Sequence, residues 1–312
     1  MIGIWYFITG FINKQILKEK QKMRYEGTVY RPPSEAGSLI IQLTIGCARN
    51  KCTFCAMFKD KKFRVRKLDE VVKDLIEARE YYKEYRIRRI FLADGDALIV
   101  KTEDLLYILE KIHELYPECE RISAYGAPAD VNLKTDEELA RLKAAGLDMI
   151  YMGAESGDDE VLKHVKKGVT SEEIISAGLK LKKANMIVSI TLISGLGGKE
   201  RVYEHAVNSA RVISAIKPEY VGFLTLMVEP GTELYDEYRE GKFELLGPVE
   251  VMQELKVFIE NVDSEGTVFR ANHASNYVPL KGTFNKDNKR MLKQIDDAEK
   301  AGVFRPEIYR GI

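Results

Sequence analysis

Three cysteines, Cys47, Cys52 and Cys55, stand in one short run, Ile45-Gly-Cys-Ala-Arg-Asn-Lys-Cys-Thr-Phe-Cys55. Thiolates are the usual ligands of iron–sulfur clusters, and coordination keeps them deprotonated. Three of them can hold a [4Fe-4S] cluster and leave one iron without a protein ligand. An iron with an open position can bind a small molecule and react with it. Zinc is the competing reading. A closed zinc site takes four ligands, yet the next cysteine, Cys119, lies 64 residues beyond Cys55. The four histidines, His113, His164, His205 and His273, show no ligand spacing. The cysteines do not form a disulfide framework; tight clustering in a long chain points to metal binding in a reducing compartment, here taken as cytoplasmic.

The elements that must position this run alternate apolar strands with amphipathic helices. Strands are expected at 39–45, 90–93, 121–125, 149–153, 187–193 and 220–227, each followed by a helical pattern. Thr135-Asp-Glu-Glu138 and Thr170-Ser-Glu-Glu173 are capping boxes that open two of the helices. Short strands, apolar on both faces and separated by helices, make a parallel sheet covered by helices. Repeated βα units wind in one hand and curl. The expected fold is therefore α/β, a parallel (β/α)6 partial TIM-type barrel with a small C-terminal α/β extension. The expected division is an N-terminal extension and loop over 1–37, a core barrel over 38–238, and a capping extension over 239–312. That extension should hold a helix near 248–262, a short strand at 267–271 and a helix at 286–301. In such barrels the reacting groups lie on the loops after the strands. The cysteine run, Asp94-Gly-Asp96, Tyr125-Gly-Ala-Pro128, Glu155-Ser-Gly157, Ser194–Gly198 and Met227–Thr232 all fall there.

Lys plus Arg equal Asp plus Glu at 48 each in the 312 residues. A net charge of zero gives no overall field for nucleic acid or an anionic membrane. The apolar stretch at 1–12 is interrupted by Gly3 and Gly10 and is too short to span a bilayer, and Met23 is an alternative start. The basic run 59–66 is read as a solvated face, with an anionic substrate, a nucleic acid or an electron donor as the alternative.

The cysteine loop after the first strand, Phe54 before the last cysteine, and the acidic or glycine-rich loops after strands two, four and five resemble the radical S-adenosylmethionine (SAM) superfamily over 38–233. Gly153-Ala-Glu-Ser-Gly157 and Glu229-Pro-Gly-Thr232 resemble the branch that contains oxygen-independent coproporphyrinogen oxidases and methylthiotransferases. The spacing here is C-x4-C-x2-C, where C-x3-C-x2-C is the common form. The resemblance implies that Cys47, Cys52 and Cys55 hold a [4Fe-4S] cluster whose open iron binds the methionine part of SAM. One electron, from a donor such as ferredoxin or flavodoxin, then cleaves SAM to methionine and a 5′-deoxyadenosyl radical, which abstracts hydrogen from a substrate.

The resemblance also implies roles for other residues. Asp94, Gly95 and Asp96 take the place of the family's Gly-Gly-Glu loop, which contacts the methionine ammonium. The bland alternative is an ordinary turn. Glu155 and Ser156 match a ribose- or methionine-contacting position, and Ser156 also suits a helix start. Gly195 would approach the adenosine by backbone, Leu226 would flank the adenine, and Phe54 would shield the cluster. In the tail, Arg270, Asn272, His273 and Asn276 are the candidates for substrate contact; a polar loop without a role is the alternative. With Cys119 the only spare cysteine, no auxiliary cluster is expected. The alternative function is a non-catalytic iron–sulfur or zinc scaffold.

Overall fold

The computed structural model describes residues 24–311. The alternative start at Met23 and the segment before it lie outside them. In chain order the strands are β1 Leu39–Gln42, β2 Thr44–Ile45, β3 Arg64–Val65, β4 Arg89–Ala93, β5 Arg121–Tyr125, β6 Leu147–Glu155, β7 Ile187–Ser194, β8 Tyr220–Thr225, β9 Val268–Ala271 and β10 Leu280–Thr283. Eight of them form one sheet in the order β1-β4-β5-β6-β7-β8-β9-β10. Every pairing is parallel up to β9, and β10 closes the far edge antiparallel. No pairing joins β1 to β10, so the curled sheet is an open barrel, as expected.

The period of two along each strand sorts its side chains between two environments. Ile41, Ile90, Leu92, Ile122, Ile150, Met152, Val188, Ile190, Val221, Phe223 and Phe269 point to the helix-covered face and join one core. Ile40, Phe91, Ala93, Met149 and Tyr151 form a separate cluster on the inner face. Helices Leu68–Tyr81, Thr102–Leu115, Ser171–Lys183 and Val202–Ile216 cover the outside with buried stripes such as Leu105, Ile108, Leu109 and Ile112. Both capping boxes form: Thr135 accepts from the Glu138 N–H and Thr170 from the Glu173 N–H, and each Glu side chain accepts in return.

Three features differ from the expectation. The first strand does not run to residue 45. After Gln42 the chain leaves the sheet, and Thr44 and Ile45 pair antiparallel with Val65 and Arg64. Buried Arg66 fixes this departure: its Nη1 donates to the Gln42 carbonyl (3.0 Å) and to Asp74 (2.6 Å). Lys61 is likewise buried against Asp94 (2.8 Å). The basic run 59–66 is thus only partly a solvated face. Second, the tail strand expected at 267–271 joins the main sheet beside β8. Third, β10 has no strand signal: Leu280-Lys-Gly-Thr283 offers one large apolar residue and a glycine, and its pairing with β9 supplies the conformation. Among the described residues no helix is long and apolar enough to cross a membrane.

Candidate functional site

The cysteine loop lies over the C-terminal ends of the strands, and backbone bonds hold it there. The Thr53 N–H donates to the Val165 carbonyl (3.0 Å), and the Thr53 carbonyl accepts from the Leu234 N–H (2.9 Å). One residue thereby ties the loop to the segments after β6 and after β8. Arg49 adds a bond to the Gly168 carbonyl (3.0 Å), and the Asn50 side chain closes the loop on the Phe58 carbonyl (2.7 Å). Cys47, Cys52 and Cys55 are free and half-buried. Burial pushes the Cys55 thiol up to about 11 and also raises Cys52. Cys52 and Cys55 are therefore held as thiols until a positive centre draws off the proton. Among the described residues no three His, Cys, Asp or Glu side chains converge on a single-ion position. A four-iron cluster spreads its ligands over a wider triangle than one ion does. Three half-buried thiols on one loop suit the three protein ligands of a four-iron cluster.

The loop after β4 packs directly on the first cysteine. A Cβ on Gly95 would stand 2.9 Å from the Cys47 Cβ and 3.0 Å from the Gly46 carbonyl oxygen, so only glycine fits between them. The two aspartates beside it are turned inward. Asp94 Oδ2 accepts from the Gly46 N–H (3.0 Å) and from Lys61. Asp96 Oδ1 accepts from the N–H groups of Leu98 (3.1 Å) and Ala127 (3.3 Å). Burial, together with Asp130, raises the Asp96 carboxyl well above the usual range.

Glu155 ends β6 in the left-handed region, φ +67°, where the β6–β7 register shifts between Gly153 and Glu155. That shift re-aims its carboxylate toward Lys167 (3.0 Å). Burial alone would lower the Lys167 pKa, but the Glu155 carboxylate, and Cys52 and Cys47 in their thiolate form, hold it above the ordinary lysine value. Lys167 is a site residue that the sequence hid, because Lys163-His-Val-Lys-Lys167 reads as a solvated helix end. Ser156 is fully buried and accepts from the Asp158 N–H (2.9 Å). The helix N-cap expected at Ser156 is instead Asp158, which accepts from Glu160 and Val161.

The glycine loop after β7 begins at Gly195, φ +82°. Buried Glu254, from helix Pro248–Asn261, receives the Gly195 N–H (3.0 Å) and the Ser194 hydroxyl (2.6 Å). Glu254 carries no local signal in the sequence, since the loop it holds lies 59 residues away along the chain. Phe54 and Leu226, far apart in sequence, meet in one apolar cluster with Ile193, Leu196 and Val161 at the rim.

The four tail candidates separate. Asn276 is buried and its amide is used twice, accepting from the Thr225 hydroxyl (3.0 Å) and donating to the Phe223 carbonyl (2.9 Å). His273 bonds to Ser275 (3.0 Å), and burial, then the Arg305 charge, lower its pKa. Arg270 and Asn272 are exposed.

Residues 41–212, more than half of the chain, match the model of the Radical SAM superfamily. The heme chaperone HemW of Bacillus subtilis is 20% identical over 182 residues, 58% of this chain and 47% of the relative. A methylthiotransferase relative from Methanocaldococcus jannaschii is 29% identical over 153 residues, 47% of this chain and 32% of the relative. The chain thus spans about half, or less, of the length of these relatives. The radical S-adenosylmethionine methyltransferase TsrM of Kitasatospora setae, solved with cobalamin and a [4Fe-4S] cluster, superposes at a TM-score of 0.54. It is 20% identical, covers 65% of this chain and 39% of its own, and so shares the fold. The chain belongs to the radical SAM superfamily, whose enzymes use a [4Fe-4S] cluster and S-adenosylmethionine.

Proposed function

We propose that this protein cleaves S-adenosylmethionine reductively and uses the 5′-deoxyadenosyl radical to abstract hydrogen from a substrate lodged on the inner face of the sheet. The observation that carries the reading is the anchoring of Thr53, which holds the cysteine loop over the same rim as Gly95, Glu155 and Gly195. One electron enters the sulfonium and the sulfur–C5′ bond breaks. Methionine keeps the sulfur, and the radical becomes 5′-deoxyadenosine once it takes a hydrogen atom. When bound through Cys47, Cys52 and Cys55, the cluster supplies that electron and an open iron.

The chain's own residues bind, orient and exclude water. Gly95 lets backbone carbonyls come close to the methionine ammonium. Glu155 accepts from an ammonium or ribose hydroxyl, while Lys167 offsets the charge of carboxylates and thiolates around it. Phe54 and Leu226 keep water from the reacting bond. The Gly195 turn, held by Glu254, offers its carbonyl side to the adenosine. The electron comes from a small reduced carrier of the ferredoxin or flavodoxin kind.

The test is anaerobic. Protein reconstituted with iron and sulfide, reduced with dithionite and given SAM is expected to form 5′-deoxyadenosine, and Cys47→Ala, Cys52→Ala and Cys55→Ala are expected to form none. Stoichiometric zinc in place of iron, or product that persists without the cysteines, would contradict the reading.

A further inference from the structure

The inner face of the sheet changes character between β6 and β7. From β1 to β6 it is filled by the chain itself: the Phe91 ring meets Tyr125 edge-on at 4.9 Å and Tyr151 at 5.9 Å. From β7 onward the described residues leave a gap in it at Gly222. The register sets Gly153, Thr191, Gly222, Arg270 and Lys281 side by side in one row across β6, β7, β8, β9 and β10. Neighbours of these residues, such as Leu192, Phe223, Phe269, Ala271 and Leu280, point into the helix-covered core, so the row lies on the opposite, inner face. Among the described residues, a Cβ placed on Gly222 would meet nothing within 4 Å. The middle of the row is therefore open space, and two cations stand at its end.

Both cations are exposed, and no carboxylate among the described residues pairs with either. Lysine at a sheet edge has a plain role in preventing strand addition, which accounts for Lys281 on β10. It does not account for Arg270, since β9 is paired on both sides. Arg270 uses Nη1 on the Phe269 carbonyl (2.8 Å) and, at 3.5 Å, on the Gly282 carbonyl, which orients the guanidinium and leaves Nε and Nη2 without a bond among the described residues. From β7 to β10 the inner face carries no acid at any strand position. Strands lie about 4.8 Å apart, so Arg270 stands about 14 Å across the row from Gly153, beside the Glu155 end of the site.

We infer that Arg270 and Lys281 form an anion subsite for a small-molecule substrate, whose carboxylate or phosphate lies on β9–β10 while its reacting carbon reaches along the Gly222 gap toward the rim. This rests on the proposed function for the reaction, but the anion site itself does not need SAM. Arginine suits the role because its fork can bind an oxyanion through two N–H groups.

The reconstituted protein is titrated anaerobically with inorganic pyrophosphate and, separately, with succinate, which distinguishes a phosphate from a carboxylate ligand. Saturable binding of one of them is expected, weakened about tenfold in Arg270→Gln and less in Lys281→Gln, in line with loss of one charge-assisted contact. Lys289→Gln, an exposed lysine on the next helix, is expected to bind as the wild type does. Binding of neither anion, or equal binding by both variants, overturns the subsite. Affinity for single-stranded RNA that grows with oligonucleotide length overturns the small-molecule assignment. Anion binding by a protein that never forms 5′-deoxyadenosine would sink the proposed function and leave the subsite standing; the reverse result would do the opposite.

Discussion

The cysteine loop and the loop that follows β9 both lie beyond the C-terminal ends of parallel strands, and different atoms hold them. The cysteine loop is fixed at its centre through the backbone of Thr53, with the Arg49 and Asn50 side chains adding two bonds between the cysteines, while its thiols stay out of any disulfide. The loop after β9 is fixed through side chains. Arg305 Nη1 donates to the carbonyls of His273 (3.0 Å), Ala274 (2.6 Å) and Asn276 (3.0 Å). Arg310 reaches the Ser275 carbonyl (2.7 Å) and, on β8's own loop, that of Leu226 (3.2 Å). Asn276 locks the same loop to Thr225 and Phe223. Backbone anchoring keeps side chains available for a group the chain must bind. Side-chain anchoring uses them for rigidity.

The contrast is broken most severely at the cysteines. Replacing Cys55 with Ala should abolish iron loading and 5′-deoxyadenosine formation. The melting temperature of the cluster-free protein should change little, as expected at a half-buried site outside the core. A large loss of stability in the cluster-free variant would show that the thiols hold the loop after all. Next comes Asn276→Ala, which strips two buried bonds and should cost about 2–3 kcal/mol, seen as a lower denaturation midpoint. Unchanged stability there would mean that the tail loop is not held by its side chains.

Smaller effects sharpen the comparison. Phe54→Ala removes a half-buried ring from the rim cluster and should cost about 1–2 kcal/mol. Its clearer effect should be faster bleaching of the cluster's visible absorbance in air. The smallest effect concerns Asp96. The folded protein holds a proton there at pH values where the unfolded chain has lost it, because burial beside Asp130 raises its pKa. The resulting stability is present at low pH and falls as pH rises through the folded pKa. Asp96→Asn keeps the acceptor for Leu98 and Ala127 and cannot lose a proton. Urea denaturation should show it gaining on the wild type as pH rises above the range in which an ordinary carboxyl ionises. It should also still form 5′-deoxyadenosine. Loss of SAM cleavage in this variant would instead restore Asp96 as a cofactor contact.

The same division explains what could be read from the sequence. The strands of the core, the capping boxes and the cysteine run are local signals: apolar period, Thr and Glu three apart, thiols a few residues apart. They were legible because each is determined by neighbours in the chain. Lys167, Glu254 and Arg66 were not, since their partners Glu155, Gly195 and Asp74 come from other elements. The roles of Asp96 and Asn276 were opaque for the same reason. An Asp in a loop reads as exposed, and only the packing of Ala127 and Asp130 against it shows that its carboxyl faces inward. β10 was hidden because a partner strand, not its composition, makes it a strand.

The central claim is that the cysteine loop presents an open iron to the methionine end of SAM beside Gly95 and Glu155. Electron paramagnetic resonance of the dithionite-reduced protein, recorded before and after SAM is added, tests it most directly. The account predicts a reduced four-iron signal whose g-values shift on addition of SAM and do not shift with S-adenosylhomocysteine alone at the same concentration. A four-iron signal that SAM leaves unchanged, in protein shown to bind SAM, would contradict it.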